Sequence, residues 1–542
     1  MRILAAALFL AAAAQGQVSF ERLRNAEQEP QNWLTYHGNY ASGHHTKLTQ
    51  ITAGNVKQLE LKWVWQAQAL DKFQTTPLVV DGVMYLTEPP GTALAIDART
   101  GRTYWMHEHR LPSDITPCCG KVNRGLAILG DTLYMGTLDA RLLALDAATG
   151  RKKWDVQIAP YRTGYSLTHA PLAVKDMVIV GPAGGELGIQ GFIAAYSAET
   201  GKELWRFHTI PKPGEAGHDT WKNDAWKTGG ASIWLTGSYD PEANLTYWGV
   251  GNPGPDWDPG ARPGDNLYSS SVVALDADTG KKKWHFQFTP HDEWDWDSVQ
   301  TPVLTDIEWQ GKPRKVMLWG NRNGFFYVLD RVTGEFLLGK PFVKQTWASG
   351  LDERGRPVKI PGMGPSAKGT EVWPGVQGGT NWYAPSYSPN TKLFYVTGWE
   401  DYHSTYYTWH TEYVPGKWFA GGTTKAVVPP TRREQIHRWG KDAGYAAVIA
   451  INPLTGDKAW QFPMTNMSES GLLTTASDLL FSGNREGHFF ALDAKTGALL
   501  WRTYLGGQVM SSPVSYLVEG RQYVTIMAGH SAFTFGLRDL IR

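Results

Sequence analysis

Short apolar runs alternate with turn residues along nearly the whole chain. One phrase recurs: an apolar run, Asp, two residues, Thr-Gly, and a Trp a few positions on. It reads ALAIDARTGRTYW ending at Trp105, LLALDAATGRKKW at Trp154, IAAYSAETGKELW at Trp205 and VVALDADTGKKKW at Trp284. YVLDRVTGEFL stops at Leu337 without the Trp, VIAINPLTGDKAW ends at Trp460, and FALDAKTGALLW ends at Trp501. Asp opens a turn, Gly supplies a backbone position with positive φ, and the following strand brings Trp to a fixed place. A second hairpin precedes each copy, as in TPLVVDGVMYLT at 76–87. A hairpin of this kind cannot bury both faces alone, so the copies must stack.

Two hairpins per unit make a four-stranded sheet, and radial repetition of such sheets is a β-propeller. The units run 75–105, 124–154, 168–205, 230–284, 301–338, 384–460 and 471–501. Two orphans remain: LELKWVWQ at 59–66, and the apolar hairpins between Ser511 and Leu537. Joined, they supply an eighth unit. The expectation is an all-β, eight-bladed propeller with four-stranded blades, closed by its N- and C-terminal segments and forming one domain over 17–542. Stretches 206–229, 253–268 and 399–444 exceed a minimal blade and read as ordered loops over one face.

Composition narrows the function. Among 542 residues, 52 are basic and 51 acidic, which speaks against a nucleic-acid protein. Arg2 followed by an apolar stretch to Ala14 and small residues to Gly16 reads as an export signal over 1–16, so the mature chain is expected in the periplasm. No later stretch is apolar enough for a transmembrane anchor.

Two constellations carry candidate chemistry. Cys118 and Cys119 are adjacent, and export favours a disulfide between them over two buried thiols. HDEWDWDSVQTP at 291–302 puts Asp295 and Asp297 two residues apart, on one face of an extended chain, with Trp294 and Trp296 on the other. Two carboxylates on one face repel or hold a cation, and alone the segment also reads as a solvated turn.

With CCGKVNRG at 118–125, DAWKTGGASIW at 224–234, YWGVGNP at 247–253, RPGDN at 262–266, TPHDEWDWD at 289–297 and GTNW at 379–382, the chain resembles the quinoprotein alcohol dehydrogenases of the methanol/ethanol dehydrogenase family, which bind pyrroloquinoline quinone (PQQ). The resemblance spans essentially the whole mature chain and implies the eight-bladed propeller already expected. It places the Cys118–Cys119 ring over one face of PQQ and Trp234 on the other. Arg124, Thr168, Ser232 and the backbone at Ala183 and Gly184 would contact PQQ's polar groups, with Arg322 and Asn381 near the reactive carbonyl and Gln74 at the rim. Glu186, Asn252 and Asp295 would supply the metal's oxygens, a shell suited to a hard cation. Calcium-using members carry a non-acidic residue at the position of Asp297, and lanthanide-using members carry Asp there. A lanthanide(III) ion is therefore favoured, with Ca2+ beside an idle Asp297 as the alternative.

The implied mechanism has Asp295 as general base, ionised through its low intrinsic pKa and kept so by metal contact, and Arg322 steadying charge on the quinone oxygen. Primary alcohols become aldehydes by hydride transfer. Without Cys-x-x-Cys-His, a separate periplasmic cytochrome c is the implied acceptor, for which the basic group Arg432, Arg433, Arg438 and Lys441 is a candidate dock and a solvated loop the plainer reading. A homodimer is the assembly considered. Glu469-Ser470-Gly471 stands where methanol-type members carry Trp-Gly-Gly, which removes one cofactor-edge contact and weakens strict methanol specificity. The competing functions are a non-catalytic exported scaffold and oxidation of polyols or sugars.

Overall fold

The computed structural model describes residues 18–426, 444–465 and 467–538, so the 1–16 signal and the basic group at 432–441 lie outside the described residues. The chain forms eight antiparallel sheets of the expected kind. The first consists of Leu78–Val80, Val83–Glu88, Thr92–Asp97 and Thr103–Glu108, paired in sequence order. The next six span 127–157, 172–208, 238–287, 303–341, 386–463 and 473–504. The last of these gains a parallel edge from His45–Thr46. The eighth joins Leu59–Gln66 to Ser531–Leu537, which continues through Arg521–Ala528 to Val514–Val518. The two orphans thus share one sheet.

The recurring Trp explains itself in the contacts between sheets. Trp105 Nε1 donates to the Ala147 carbonyl at 3.1 Å, Trp154 to Ala198 at 3.1 Å, Trp205 to Ala277 at 3.0 Å and Trp460 to Ala494 at 3.1 Å. Each acceptor lies in the Asp-to-Gly turn of the following sheet. The same indoles lie flat against that turn's glycine: a Cβ on Gly150 would strike Trp105, one on Gly201 Trp154, one on Gly280 Trp205, and one on Gly497 Trp460. Gly is therefore required twice over, for its positive φ and for the ring above it. Where the repeat lacks Trp, the Lys340 stem covers Gly456. Trp63, from the N-terminal strand, bonds to Ala98 at 3.2 Å and covers Gly101, so the eighth sheet abuts the first by the same device. Trp501 packs edge-on to Phe535 of the eighth sheet, at 5.5 Å between centroids.

Strand burial follows from this stacking. The second and third strands are almost wholly buried, while the fourth alternates, as in Thr103–Glu108. Full burial of one large apolar side chain contributes about 1.5–3 kcal/mol. The long stretches are more structured than expected: Ser404–Thr408, Gly422–Ala426 and Thr370–Val372 form a three-stranded sheet. No helix among the described residues is long and apolar enough to cross a membrane.

Two predictions follow from the packing. Gly130 also has positive φ, but a Cβ there meets nothing within 4 Å. Gly130→Ala should cost about 1–2 kcal/mol of backbone strain, and Gly150→Ala about 1–3 kcal/mol more from the clash with Trp105. Urea midpoints at unchanged m-value measure the difference. The buried His44 ring bonds to the Pro513 carbonyl at 2.9 Å, tying the N-terminal arm to the last sheet. Burial lowers its pKa from 6.5 to about 4. The unfolded chain takes up a proton that the folded chain resists, so stability falls as pH drops from about 6.5 to 4, by roughly 3 kcal/mol for this ring alone. Melting curves across that window should show the loss, and His44→Gln should flatten the slope.

Candidate active site

The candidate residues occupy two kinds of connection. Gln74, Arg124, Thr168, Ser232, Trp234, Asp295, Asp297 and Asn381 precede the first strands of their sheets. Ala183, Gly184, Glu186, Asn252 and Arg322 follow second strands. In an antiparallel sheet, entry into the first strand and exit from the second lie at the same end, and the Thr-Gly turns lie at the other. The stacking device and the candidate chemistry are thus separated along every sheet.

Backbone bonds link these connections. Thr76 N–H donates to the Arg124 carbonyl at 3.0 Å, and Arg124 N–H to the Thr168 carbonyl at 3.0 Å. Thr168 Oγ1 and Arg124 Nη1 each lie 3.4 Å from the Trp234 carbonyl. The Arg124 guanidinium sits 5.1 Å from the Trp234 ring and 5.0 Å from that of Trp382. It is buried, its Nε has no partner among the described residues, and burial lowers its pKa to about 10. Among the same residues, Gln74 Oε1 and Arg322 Nε are likewise buried without partners. Ala183 N–H is already committed to the Ser166 carbonyl at 2.8 Å, so the expected backbone donor there is taken. Asn381 Nδ2 donates to the Gln377 carbonyl at 2.9 Å, and Gly379 N–H to the Arg322 carbonyl at 2.8 Å, which holds the GTNW stretch beside Arg322.

The Cys118 and Cys119 sulfurs lie 2.23 Å apart, with Glu186 Oε1 at 3.1 Å from Cys118 Sγ. These three residues are the one set of Cys, His, Asp or Glu ligand atoms within 4.8 Å of one another among the described residues. Glu186, Asp295 and Asp297 do not all close to that spacing. Both Asp297 oxygens are engaged: Oδ1 accepts from Asn252 N–H at 2.8 Å, and Oδ2 from Arg322 Nη1 at 2.6 Å. Asp295 Oδ2 lies 3.8 Å from Arg322 Nη2. Gly251 lets this set converge, because a Cβ there would lie 2.6 Å from Asp297 Oδ1 and 2.7 Å from Ser232 Oγ.

The 291–297 segment is not extended. Asp295 has φ +61°, and the Asp292 carboxylate accepts from Trp294 N–H at 3.0 Å and Trp296 N–H at 2.7 Å. The sorting of faces nevertheless holds: Trp294 and Trp296 stack at 4.7 Å inside the core, while both acids face Arg322. Burial pushes the Asp295 carboxyl well above its usual range, with Arg322 opposing and Asp256, Asp297 and Glu186 adding to the rise. Ionisation of Asp295 therefore leans on positive charge beside it, which is the part that metal contact plays in the expectation. Glu186 is raised as well, by burial and then by Asp297.

Three further residues escaped the sequence reading. Arg262 is fully buried and donates to the carbonyls of Pro255, Asp256 and Asp292, clamping the two acidic segments together. Asp292 shapes the turn. Asp256 bonds to Asn252 Nδ2 at 2.8 Å. Arg262 and Asp292 stood inside RPGDN and TPHDEWDWD, and a buried role for a charged residue there was the available signal.

The family profile of PQQ glucose/ethanol/alcohol dehydrogenase β-propeller domains matches residues 33–339 and 353–524. This chain belongs to the PQQ-dependent alcohol dehydrogenases. It is 39% identical to quinoprotein alcohol dehydrogenase PedH of Pseudomonas putida, over 96% of this chain and 90% of that one. It superposes on the quinohemoprotein alcohol dehydrogenase ADHIIG of Pseudomonas putida HK5 with TM-score 0.90 and 36% identity, covering 97% and 83% of the two chains. On a europium-containing methanol dehydrogenase the values are 0.88 and 31%, with 95% and 100% covered. The protein is an enzyme that oxidises alcohols with PQQ.

The donor set fits PQQ. A buried guanidinium without an ion-pair partner among the described residues, set beside Trp234, Trp382 and the Thr168 hydroxyl, suits a flat polyanion. Arg124→Ala should weaken PQQ binding by about 2–5 kcal/mol, and Arg124→Lys should recover little of it, because lysine lacks the planar fork. Quenching of tryptophan emission on titration with PQQ reads both.

Proposed function

We propose that this dehydrogenase is a periplasmic enzyme that converts primary alcohols to aldehydes and passes the electrons to a separate cytochrome c. One observation carries the reading: an unpaired buried arginine stands at the same end of the sheets as a buried excess of carboxylates. Such a site is built for an anion and a cation together, and a non-catalytic scaffold needs neither. The Trp-to-turn contacts that run from sheet to sheet, including the eighth onto the first, support a closed ring as the frame.

When bound, PQQ supplies a two-electron acceptor for the carbinol hydride, and the cation supplies Lewis acidity. Arg124, Thr168, Ser232, Gln74 and Asn381 would hold the cofactor, between Trp234 and a Cys118–Cys119 disulfide. Glu186, Asn252, Asp295 and Asp297 would hold the cation. Asp295 takes the substrate hydroxyl proton on its carboxylate; it is poised for this only when positive charge offsets its burial. Arg322 contacts both aspartates and orients them.

A lanthanide(III) ion is the favoured cation, because three carboxylates match its charge. Calcium has one observation in its favour, the engagement of both Asp297 oxygens by Asn252 and Arg322. Reconstitution with PQQ plus La3+ or Ca2+, scored by dye-linked oxidation of an alcohol series, separates the two. Asp295→Asn should abolish turnover with either metal. Asp297→Ala should cut La3+-dependent kcat/KM about 100-fold or more, equivalent to roughly 2.7 kcal/mol. La3+ turnover that survives Asp297→Ala would defeat the lanthanide assignment, and PQQ binding without oxidation of any alcohol would defeat the catalytic proposal.

A further inference from the structure

Asp256 has no role in the set described so far, yet its position is demanding. It is 1% exposed. One carboxylate oxygen accepts from Asn252 Nδ2 at 2.8 Å, and the other is buried with no partner among the described residues. Its surroundings are acidic, with Glu186 and Asp297 both acting on it. Arg262 bonds to its backbone carbonyl rather than its carboxylate. A purely structural tie to Asn252 needs only a neutral acceptor. Burying a carboxylate for one such bond is costly unless positive charge is also present.

The geometry around Asn252 shows what the carboxylate achieves. The Asn252 amide nitrogen donates to Asp256 and approaches the Pro253 carbonyl at 3.3 Å. With both acceptors on the nitrogen side, the amide oxygen is turned the other way. Asn252 Oδ1 lies 3.8 Å from where a Cβ on Gly185 would stand, toward the turn that carries Glu186. The backbone N–H of Asn252 meanwhile holds Asp297. A flipped amide would present NH2 to a cation, so the orientation decides whether Asn252 is a ligand at all.

We infer that Asp256 is a positioning residue of the cation site: it locks the Asn252 amide with its oxygen toward the turn that carries Glu186. The inference rests on the cation reading above. In Asp256→Asn the new side chain can offer NH2 to Asn252 and reverse its amide, as well as removing the charge.

The test is titration of the full chain with Tb3+, read by tryptophan-sensitised terbium emission, with Ca2+ measured by competition. Asp256→Asn should weaken Tb3+ binding about 10–100-fold, with Ca2+ binding weakened as well. Asp256→Ser is measured alongside, so that a folding failure in one variant leaves the other to decide. Tb3+ affinity within twofold of wild type in a folded variant overturns the inference. Lost binding with a metal-free melting temperature lowered by more than about 5 °C marks a packing role and overturns it too. A wild-type chain that binds no Tb3+ overturns the lanthanide reading itself, which distinguishes that failure from a failure of Asp256 alone.

Discussion

An indole lying on a glycine holds this fold together. In five of these contacts, those of Trp63, Trp105, Trp154, Trp205 and Trp460, a tryptophan from the outer strand of one sheet covers the turn glycine of the next and donates its N–H to a carbonyl of the same turn, while Trp284 covers Gly334 with no such bond among the described residues. The contact joins burial of a large apolar surface to the satisfaction of a polar group that burial would otherwise strand. Neither partner tolerates much change: the glycine must accept positive φ and have no side chain, and the indole must reach one carbonyl. This double demand ties the outer strand of each such sheet to the turn of the next.

Because that contact lies at one end of the sheets, the other end is released from structural duty. Connections there vary in length and carry the charged and polar groups. Rigid sheets hold them so that relaxation is limited, and limited relaxation is what keeps Asp295, Glu186 and Asp256 together despite mutual repulsion. Arg322 absorbs part of the repulsion through Asp297. Arg262 absorbs more by pinning the backbone of both acidic segments from behind. The Trp294–Trp296 stack serves the same end, since it turns the intervening aspartate toward Arg322.

The repeat was legible because its physics is local. Asp, Thr-Gly and Trp recur at fixed spacing, and each copy announces a turn and a strand. The pairing of 59–66 with the C-terminal strands was legible by elimination, as two incomplete units. The site was legible where motifs resembled a family, and Arg124, Asp297 and Arg322 do converge with their neighbours. What escaped was conformation that no spacing encodes. The left-handed backbone at Asp295 depends on Asp292 capping two amides, and the short sheet within 399–444 depends on a partner strand at Thr370–Val372. Asp256 escaped because an acidic residue in a Gly-Pro-rich loop ordinarily faces water, and its burial is decided by Arg262 and Asn252.

The electrostatics set a direction on the chemistry. In the protein alone, burial raises the carboxyl pKa of Asp295, Glu186 and Asp256, so the proposed general base depends on compensating charge. Positive charge in their midst reverses that rise, since an ion close to a carboxylate outweighs desolvation that a distant counter-charge cannot. Activation of the base and binding of the cation are then one event rather than two. Arg322 alone does not suffice, because Asp297 engages one of its Nη atoms at 2.6 Å while Asp295 stands off at 3.8 Å from the other. In the proposed mechanism, this arrangement couples the capacity to abstract a proton to the capacity to stabilise the charge that abstraction creates.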